Sequence, residues 1–423
     1  MDLSAMDVTT LPDDMVVEIL SRLPFKSFCR FKCVSKAWLA FSHDPNYSEK
    51  LPKIPTGLLY QKSDNFAIKL VGLPRNEEKF DDGALSFLPH VHNNVELTLE
   101  DCCNGLILCK HTSIQDNHAS LIRRKYTGLG NTSTGTGRFD MCSHIYHFTV
   151  CNPETREWKT LPGIHHDEEY PFSKAILVFN PSLSPHFYVF HFKEHVYDPK
   201  EGGLWVFSSD LSRWLVYDAW RNSRIDSVCM YPHLFIDGSL YLFSLRWVKR
   251  ISVLNGFDAM SSHIPPNHQA IRLPHDPSSD SSNGLSVTTP GLYTGGCFGQ
   301  SPGTLHYALP DDDGRAIRIW SFDVTGPYEW SLNYHLSMTD AFGRDDLARY
   351  DSTRKKWYPV YDIAALDLER EFVFLFVFRA SKLYSYCIST GKLNEFHDFA
   401  QDERVCLRRF FHYVPCYTSF NAT

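Results

Sequence analysis

A chain of 423 residues exceeds one ordinary hydrophobic core, so it holds two or three domains or one long repetitive β fold. Hydrophobic residues make up 43% and charged residues 22%, the balance of a folded globular chain, and the 14% of aromatic residues leans the body toward strands, where rings pack well. A formal net charge of -7 supplies no basic field for a phosphate backbone, which argues against nucleic acid as a main partner.

The opening residues, Met1-Asp2-Leu3-Ser4, lack a charged-then-apolar leader, and the longest apolar stretch, Phe372 to Phe378, is only as long as a strand. Neither export nor a membrane span is expected. The cysteines are scattered, and the close pairs, Cys102 with Cys103 and Cys29 with Cys33, do not give paired CxxC zinc spacing. Reduced structural thiols in cytoplasm or nucleus are the expectation. The sequons at Asn46, Asn131 and Asn421 then carry no weight.

From Leu11 to Tyr47 the chain reads with helical period. Val16, Ile19, Leu20 and Leu23 recur at i, i+3, i+4 and i+7, which stacks them on one face. Asp13 and Asp14 suit the positive end of that helix, Arg22 suits the other end, and Pro24 stops it. Ser27 and Ser35 fit as caps of two further short helices, one carrying Phe28 and Phe31, the other Trp38 and Phe41. So short a module buries too little apolar surface to fold alone, so it completes its core on a partner or on the body of the same chain.

After Pro52 short apolar runs alternate with Gly, Pro, Asn and Asp, with no long helical period between them. Many short strands of this kind favour a sandwich, barrel or propeller. A weak repeat of strand, polar turn and Trp or aliphatic residue separates these. It recurs at Val150 to Trp158, Phe207 to Trp214, Phe322 to Trp330 and Tyr386 to Phe396, with a degenerate copy near Leu254 to Leu273. The spacing predicts a β-propeller of five to seven blades, with Trp158, Trp214 and Trp330 in corresponding places. The stretches Thr127 to Gly137 and His275 to Gly291 read as exposed loops.

The first segment resembles the F-box. Its LPxxxxxxILxRLP opening is matched by Leu11, Pro12, Ile19, Leu20, Arg22, Leu23 and Pro24. The following SxxRFxxVSKxW run is matched by Ser27, Arg30, Phe31, Lys32, Val34, Ser35, Lys36 and Trp38. Carried over by position, the resemblance implies that Leu11, Pro12, Ile19, Leu20, Leu23, Pro24, Val34 and Trp38 meet a Skp-type adaptor. The remainder, through CNGLILC, VCNPETREWKTLP, ILVFNPSLSPHFYVF, FSSDLSRW, GTLHYA and EWSLNYHLSM, is similar to the F-box-associated domain of a large plant family, itself considered propeller-like. The implied organisation is an F-box at 8–48, a linker at 49–54, an F-box-associated propeller at 55–415 that receives a target, and a tail at 416–423.

Catalytic patterns are absent or incomplete. Gly130 to Gly135 has phosphate-loop glycine spacing, but Thr136-Gly137 stands where Lys-Ser/Thr would hold phosphate, so a plain loop is expected. Asp311-Asp312-Asp313-Gly314 lacks the alternating ligands and distal Glu of a calcium loop and reads as a solvated turn. His191 and His195 lack the HExxH glutamate. No cofactor, metal or catalytic residue is expected. The reading is a substrate-recognition subunit of a cullin ubiquitin ligase, bound through the adaptor to a cullin and a RING subunit. The alternatives are a propeller enzyme and an F-box protein acting outside any ligase.

Overall fold

In the computed structural model of the chain the described residues are 12–22, 57–62, 67–72, 85–89, 96–112, 145–165, 172–181, 184–194, 203–217, 233–244, 250–257, 267–274, 296–301, 303–326, 329–352, 356–399 and 410–420. Helix α1 (Asp13–Ser21) starts after Pro12 and ends at Arg22, whose guanidinium pairs with Glu18 one turn back. The two helices expected after Ser27 and Ser35 lie outside the described residues, as do the loops at 127–137 and 275–291.

The body is a six-bladed β-propeller, within the range read from the repeat. The first strands, β1 (Gly57–Gln61) and β2 (Ile68–Gly72), belong to the blade that closes the ring. Blade 1 is β3 (Thr98–Cys103), β4 (Leu106–Thr112), β5 (Ile145–Asn152) and β6 (Glu157–Thr160), with the short β7 (Ile164–His165) also paired to β5. Blade 2 is β8 (Phe172–Phe179), β9 (Phe187–Glu194), β10 (Gly203–Ser208) and β11 (Arg213–Tyr217). Blade 3 is β12 (His233–Ile236), β13 (Ser239–Ser244), β14 (Arg250–Asn255) and β15 (Asn267–Arg272). Blade 4 is β16 (Cys297–Ser301), β17 (Thr304–Pro310), β18 (Ala316–Asp323) and β19 (Trp330–Ser337).

Helix α2 (Met338–Phe342) and a hairpin of β20 (Ala348–Asp351) and β21 (Lys356–Pro359) lead into blade 5. Blade 5 is β22 (Tyr361–Asp367), β23 (Phe372–Val377), β24 (Lys382–Cys387) and β25 (Lys392–Asp398). The last strand, β26 (Phe411–Tyr413), pairs antiparallel with β1 and is the innermost strand of blade 6. Both ends of the body thus share one sheet, which closes the ring by hydrogen bonds.

The core is not central but divided among the seams between blades. Ala175, Leu177 and Phe179 of β8 pack toward blade 1 with Phe148 and Val150, while Ile176 and Val178 pack toward blade 3 with Leu240 and Leu242. Similar clusters fill the seams of blades 3 and 4, 4 and 5, 5 and 6, and 6 and 1. Because both faces of an inner strand are buried, AILVF reads as continuous apolar text and not as an alternation. At about 1.5 to 3 kcal/mol per buried aliphatic or aromatic side chain, these seams are the main favourable term in the fold.

The five repeats are the hairpins between third and fourth strands of blades 1 to 5. Trp158, Trp214, His268, Trp330 and Leu393 face the next-to-last third-strand residues Cys151, Phe207, Leu254, Phe322 and Tyr386. In blades 1, 2 and 5 the turn ends in a left-handed residue, Arg156 (φ 57°), Ser212 (φ 51°) and Gly391 (φ 66°). Blade 6 is assembled from both ends of the body, so the repeat has no contiguous sixth copy. Correspondence of place does not bring equal burial. Trp214 and Trp330 each reach across a seam, their Nε1 donating to the carbonyl oxygens of Pro162 (3.0 Å) and Arg272 (2.8 Å) in the preceding blade. Trp158 stays 41% exposed.

First-to-second strand turns carry a second regularity. Asn104-Gly105 (φ 45° and 85°) and Asp237-Gly238 (φ 46° and 77°) are two-residue turns in which both residues are left-handed, the geometry that matches strand twist and selects Asn-Gly and Asp-Gly.

Candidate functional site

Four-stranded antiparallel meanders give the ring two unlike faces. One face carries the first-to-second and third-to-fourth turns, most of them tight, with the longer 256–266 between β14 and β15; the stretch 73–97 also leaves β2 from this face. The other carries the strand ends joined by the second-to-third and blade-to-blade connections, including 113–144, 218–232, 273–296 and 338–360. We call them the turn face and the loop face. β1 runs antiparallel to the inner strand β26, so Gly57, its first residue, lies at the turn face. The N-terminal segment therefore enters the ring on the side opposite 113–144, 218–232, 273–296 and 338–360.

On α1, Met15 and Ile19 are 54% and 52% exposed, while Val17 and Leu20 are buried, Leu20 at 1%. Of the residues that the resemblance assigns to an adaptor, Pro12 and Ile19 are exposed and Leu20 points inward. Leu11, Leu23, Pro24, Val34 and Trp38 lie outside the described residues. Periodicity put Ile19 and Leu20 on one apolar face; the structure divides that face between an inner side and a free side to which Met15 belongs.

Near the axis, the inner strands are tied by one buried carboxylate. Asp101 of β3 accepts from the Leu177 N–H of blade 2 (2.7 Å) and, through its other oxygen, from the Cys102 N–H (2.8 Å). His233 Nε2 of blade 3 lies 3.0 Å from Asp101 Oδ2. Asp101 and His233 are distant in sequence, and nothing in the local text of either marks the pair. With both carboxylate oxygens engaged and the side chain 2% exposed, Asp101 holds three blades together and is not free to act on a solute.

A second buried polar group sits in the seam of blades 1 and 2. His191 of β9 lies 3.1 Å through Nε2 from the Tyr146 hydroxyl and packs against Phe148 and Trp214, while its Nδ1 has no hydrogen-bond partner. Burial above all, and then the nearby Lys110 and Lys193, hold its pKa well below the usual histidine range. Asp311 is not a purely solvated turn residue: it is half-buried and bonded to Arg318 at 3.0 Å, with burial raising its pKa. Among the described residues no group of three or more His, Cys, Asp or Glu is placed to hold a metal ion. Cys102, Cys103, Cys109, Cys151, Cys297, Cys387 and Cys416 are free thiols, and burial pushes Cys103 and Cys297 up to about 12, the inert condition.

The segment after β26 is fastened to the turn face of blade 1. Asn152 Nδ2 donates to the carbonyl oxygens of Cys416 (2.9 Å) and Thr418 (3.2 Å), and Glu157 accepts from Ser419 Oγ and the Phe420 N–H. Phe420 is buried edge-on to Phe187 with ring centroids 5.5 Å apart. Gly105 permits this closeness, since a Cβ there would stand 2.4 Å from Cys416 Cβ. Sequence reading passed over this strap because its anchors are far apart in the chain.

Comparison with known proteins agrees with the N-terminal reading. The model of the F-box domain matches residues 9–50. Arabidopsis thaliana "F-box protein At5g07610" is 24% identical over 77% of this chain and 70% of its own length. "F-box protein At4g19940" is 34% identical over 41% of each chain, and "F-box protein At1g30790" is 27% identical over 37% of this chain and 35% of its own length, both from the same plant. The chain thus covers more than two thirds of the first and well under two thirds of the other two. Among solved structures, a chain of a nidogen/laminin complex aligns over 85% of this chain and 100% of its own at 10% identity and TM-score 0.40. A GH43_1 enzyme from Xanthomonas citri aligns over 76% and 95% at 12% identity and TM-score 0.31. Likeness at those scores carries no argument. The chain thus carries an F-box domain, matched at residues 9–50, with a six-bladed propeller behind it.

Proposed function

We propose that the chain is the substrate-recognition subunit of a cullin ubiquitin ligase: residues 8–48 hold a Skp-type adaptor, through it a cullin and a RING subunit, and residues 55–415 hold the target. The observation that carries this reading is the polarity of the ring. The chain runs from the F-box into β1 at the turn face, and most of the long connections, where specificity is most freely varied on a fixed scaffold, leave from the loop face. A receptor needs that separation, because adaptor and target must bind at once. The adaptor contact is assigned to Leu11, Pro12, Ile19, Leu23, Pro24, Val34 and Trp38; exposure adds Met15, and burial removes Leu20 from the contact.

The subunit performs no bond chemistry in this reading. It raises the effective concentration of a target lysine near a conjugating enzyme held by other subunits. The unpaired thiols fit the reducing compartments, cytoplasm or nucleus, where such an assembly works. No helix among the described residues is long and apolar enough to cross a membrane. The test is an affinity-tagged chain recovered from plant cells under proteasome inhibition and analysed by mass spectrometry. Adaptor, cullin and RING subunits in comparable amounts, with ubiquitinated proteins, support the reading. Recovery without any adaptor rejects it.

A further inference from the structure

Three polar side chains stand in a row across blade 4, on the side that faces blade 5. β16, β17 and β18 lie side by side, with Gly299 opposite His306 and His306 opposite Ser321, while Ser301 ends β16 two residues beyond Gly299. Alternation along β17 sends His306 to the same side as Ala308, toward the seam that Leu366 and Val373 of blade 5 help to fill. Ser301 Oγ lies 2.8 Å from His306 Nε2, and Ser321 Oγ lies 2.8 Å from His306 Nδ1.

Satisfying a buried imidazole asks only for a partner at each nitrogen. What exceeds that need here is the difference in exposure along the row. His306 is 6% exposed and burial lowers its pKa, so the ring is a neutral base at pH 7. Ser301 is partly exposed at the turn face, where β16 gives way to β17. A hydroxyl open to solutes, backed by a shielded neutral imidazole whose other nitrogen is held by a third group, is the arrangement that activates a serine. By contrast, the Thr149 hydroxyl beside His111 Nε2 (3.1 Å) is fully buried, and His191 Nδ1 has no partner to hold its ring. Gly299-Gln300-Ser301-Pro302-Gly303 has GxSxG spacing, but it joins strand to strand and not strand to helix, so the spacing adds nothing to the geometry.

We propose that Ser301 is a nucleophilic serine that takes an acyl group from an activated ester with a phenolic leaving group, with His306 as its general base and Ser321 positioning the ring. The Ser301 hydroxyl donates to Nε2 while Nδ1–H donates to Ser321 Oγ. As Ser301 Oγ bonds to the acyl carbon, its proton passes to Nε2; the bond from that carbon to the phenol oxygen then breaks, and the leaving phenolate takes the proton from Nε2. Nothing is oxidised or reduced. Pro302, the residue after the nucleophile, has no N–H, so the backbone donor that hydrolases place there for the oxyanion is missing. Only esters with a good leaving group therefore react, and the acyl group stays on Ser301 instead of turning over. The chemistry is independent of adaptor binding, so its failure would leave the receptor reading as it stands.

The experiment treats the full chain with p-nitrophenyl acetate and, separately, with a biotinylated fluorophosphonate, which bonds to the same oxygen with loss of fluoride. Peptide mass spectrometry locates the adduct, and its rate of formation is followed from about pH 5 to about pH 8. The expected result is one adduct per chain, on Ser301, with a burst of nitrophenol and slow turnover after it. The rate should hold down through the usual histidine range and fall only in more acidic buffer, where the depressed His306 takes up a proton. Ser301→Ala should abolish the adduct, and His306→Asn should slow it at least about a hundredfold. Ser321→Ala should slow it about tenfold with unchanged melting, and Ser321→Thr should restore the rate. If His306→Asn does not fold, the pH profile of the wild type and the Ser321 variants decide. Adducts spread over other surface side chains, a rate simply proportional to hydroxide, or labelling of Ser301 indifferent to Ser321→Ala overturns the proposal and leaves the row a structural one.

Discussion

Replacing Trp158, Trp214 and Trp330 with Ala one at a time separates place in the repeat from contribution to the fold. A fully buried Trp→Ala costs about 3 to 5 kcal/mol. Trp214 is only partly buried, which lowers that range, but its ring meets Phe207 at 5.5 Å and Phe148 at 6.2 Å, and its Nε1 bonds to Pro162. Losing those contacts, and leaving a carbonyl without its donor, gives about 3 kcal/mol. Trp330, with Phe322 at 5.2 Å and its bond to Arg272, should behave alike. Trp158 is 41% exposed, so its removal should cost about 1 kcal/mol. The assay is urea unfolding of the chain co-purified with adaptor, followed by near-ultraviolet circular dichroism. A Trp158 variant as damaged as the Trp214 variant, or a Trp214 variant no less stable than wild type, would refute the seam argument.

Stability should fall as pH drops below about 6.5, because the buried His191 and His306 have folded-state pKa values depressed by burial, so the unfolded chain takes up the protons first. His191→Phe should remove up to about 1.4 kcal/mol per pH unit of that slope in thermal melts between pH 5 and 6.5, and an unchanged slope would exclude His191 as a source. Gly391→Ala should cost about 1 kcal/mol and Ser212→Gly should stabilise by a smaller amount, since both sit in the left-handed region and a Cβ at Gly391 meets nothing closer than Tyr386 Oη at 3.9 Å. Equal and opposite behaviour would show that the turn geometry is misassigned. Phe420→Ala should cost about 3 kcal/mol by emptying the site against Phe187, and a melt identical to wild type would mean that the strap contributes nothing.

What could be read in the sequence was whatever repeats or stays local. VCNPETREW, FSSDLSRW and FDVTGPYEW announce the same hairpin because turn chemistry and the next strand lie within a few residues. The blade count was bracketed and not single-valued, since blade 6 draws β26 from the far end of the body to pair with β1. Leu20 and Ile19 are neighbours on a helical projection; only the packing of α1 shows that one is buried and the other free. Asp101 with His233, and Asn152 with the strap, are long-range pairs of ordinary residue types, which no local pattern encodes. Tyr350 and Trp357 read as two more aromatics in an aromatic-rich chain until the register of β20 and β21 puts them face to face.

The central claim is that α1 offers its free side to an adaptor while the propeller folds independently of that contact. Ile19→Asp with Met15→Asp tests it most directly, because both positions are exposed and the change buries two unpaired charges only when a partner covers them. Co-expression with a Skp-type adaptor, followed by size-exclusion chromatography with light scattering, should give a one-to-one complex for wild type. The variant should elute without adaptor, with propeller melting unchanged. A variant that retains the adaptor at wild-type stoichiometry would contradict the account.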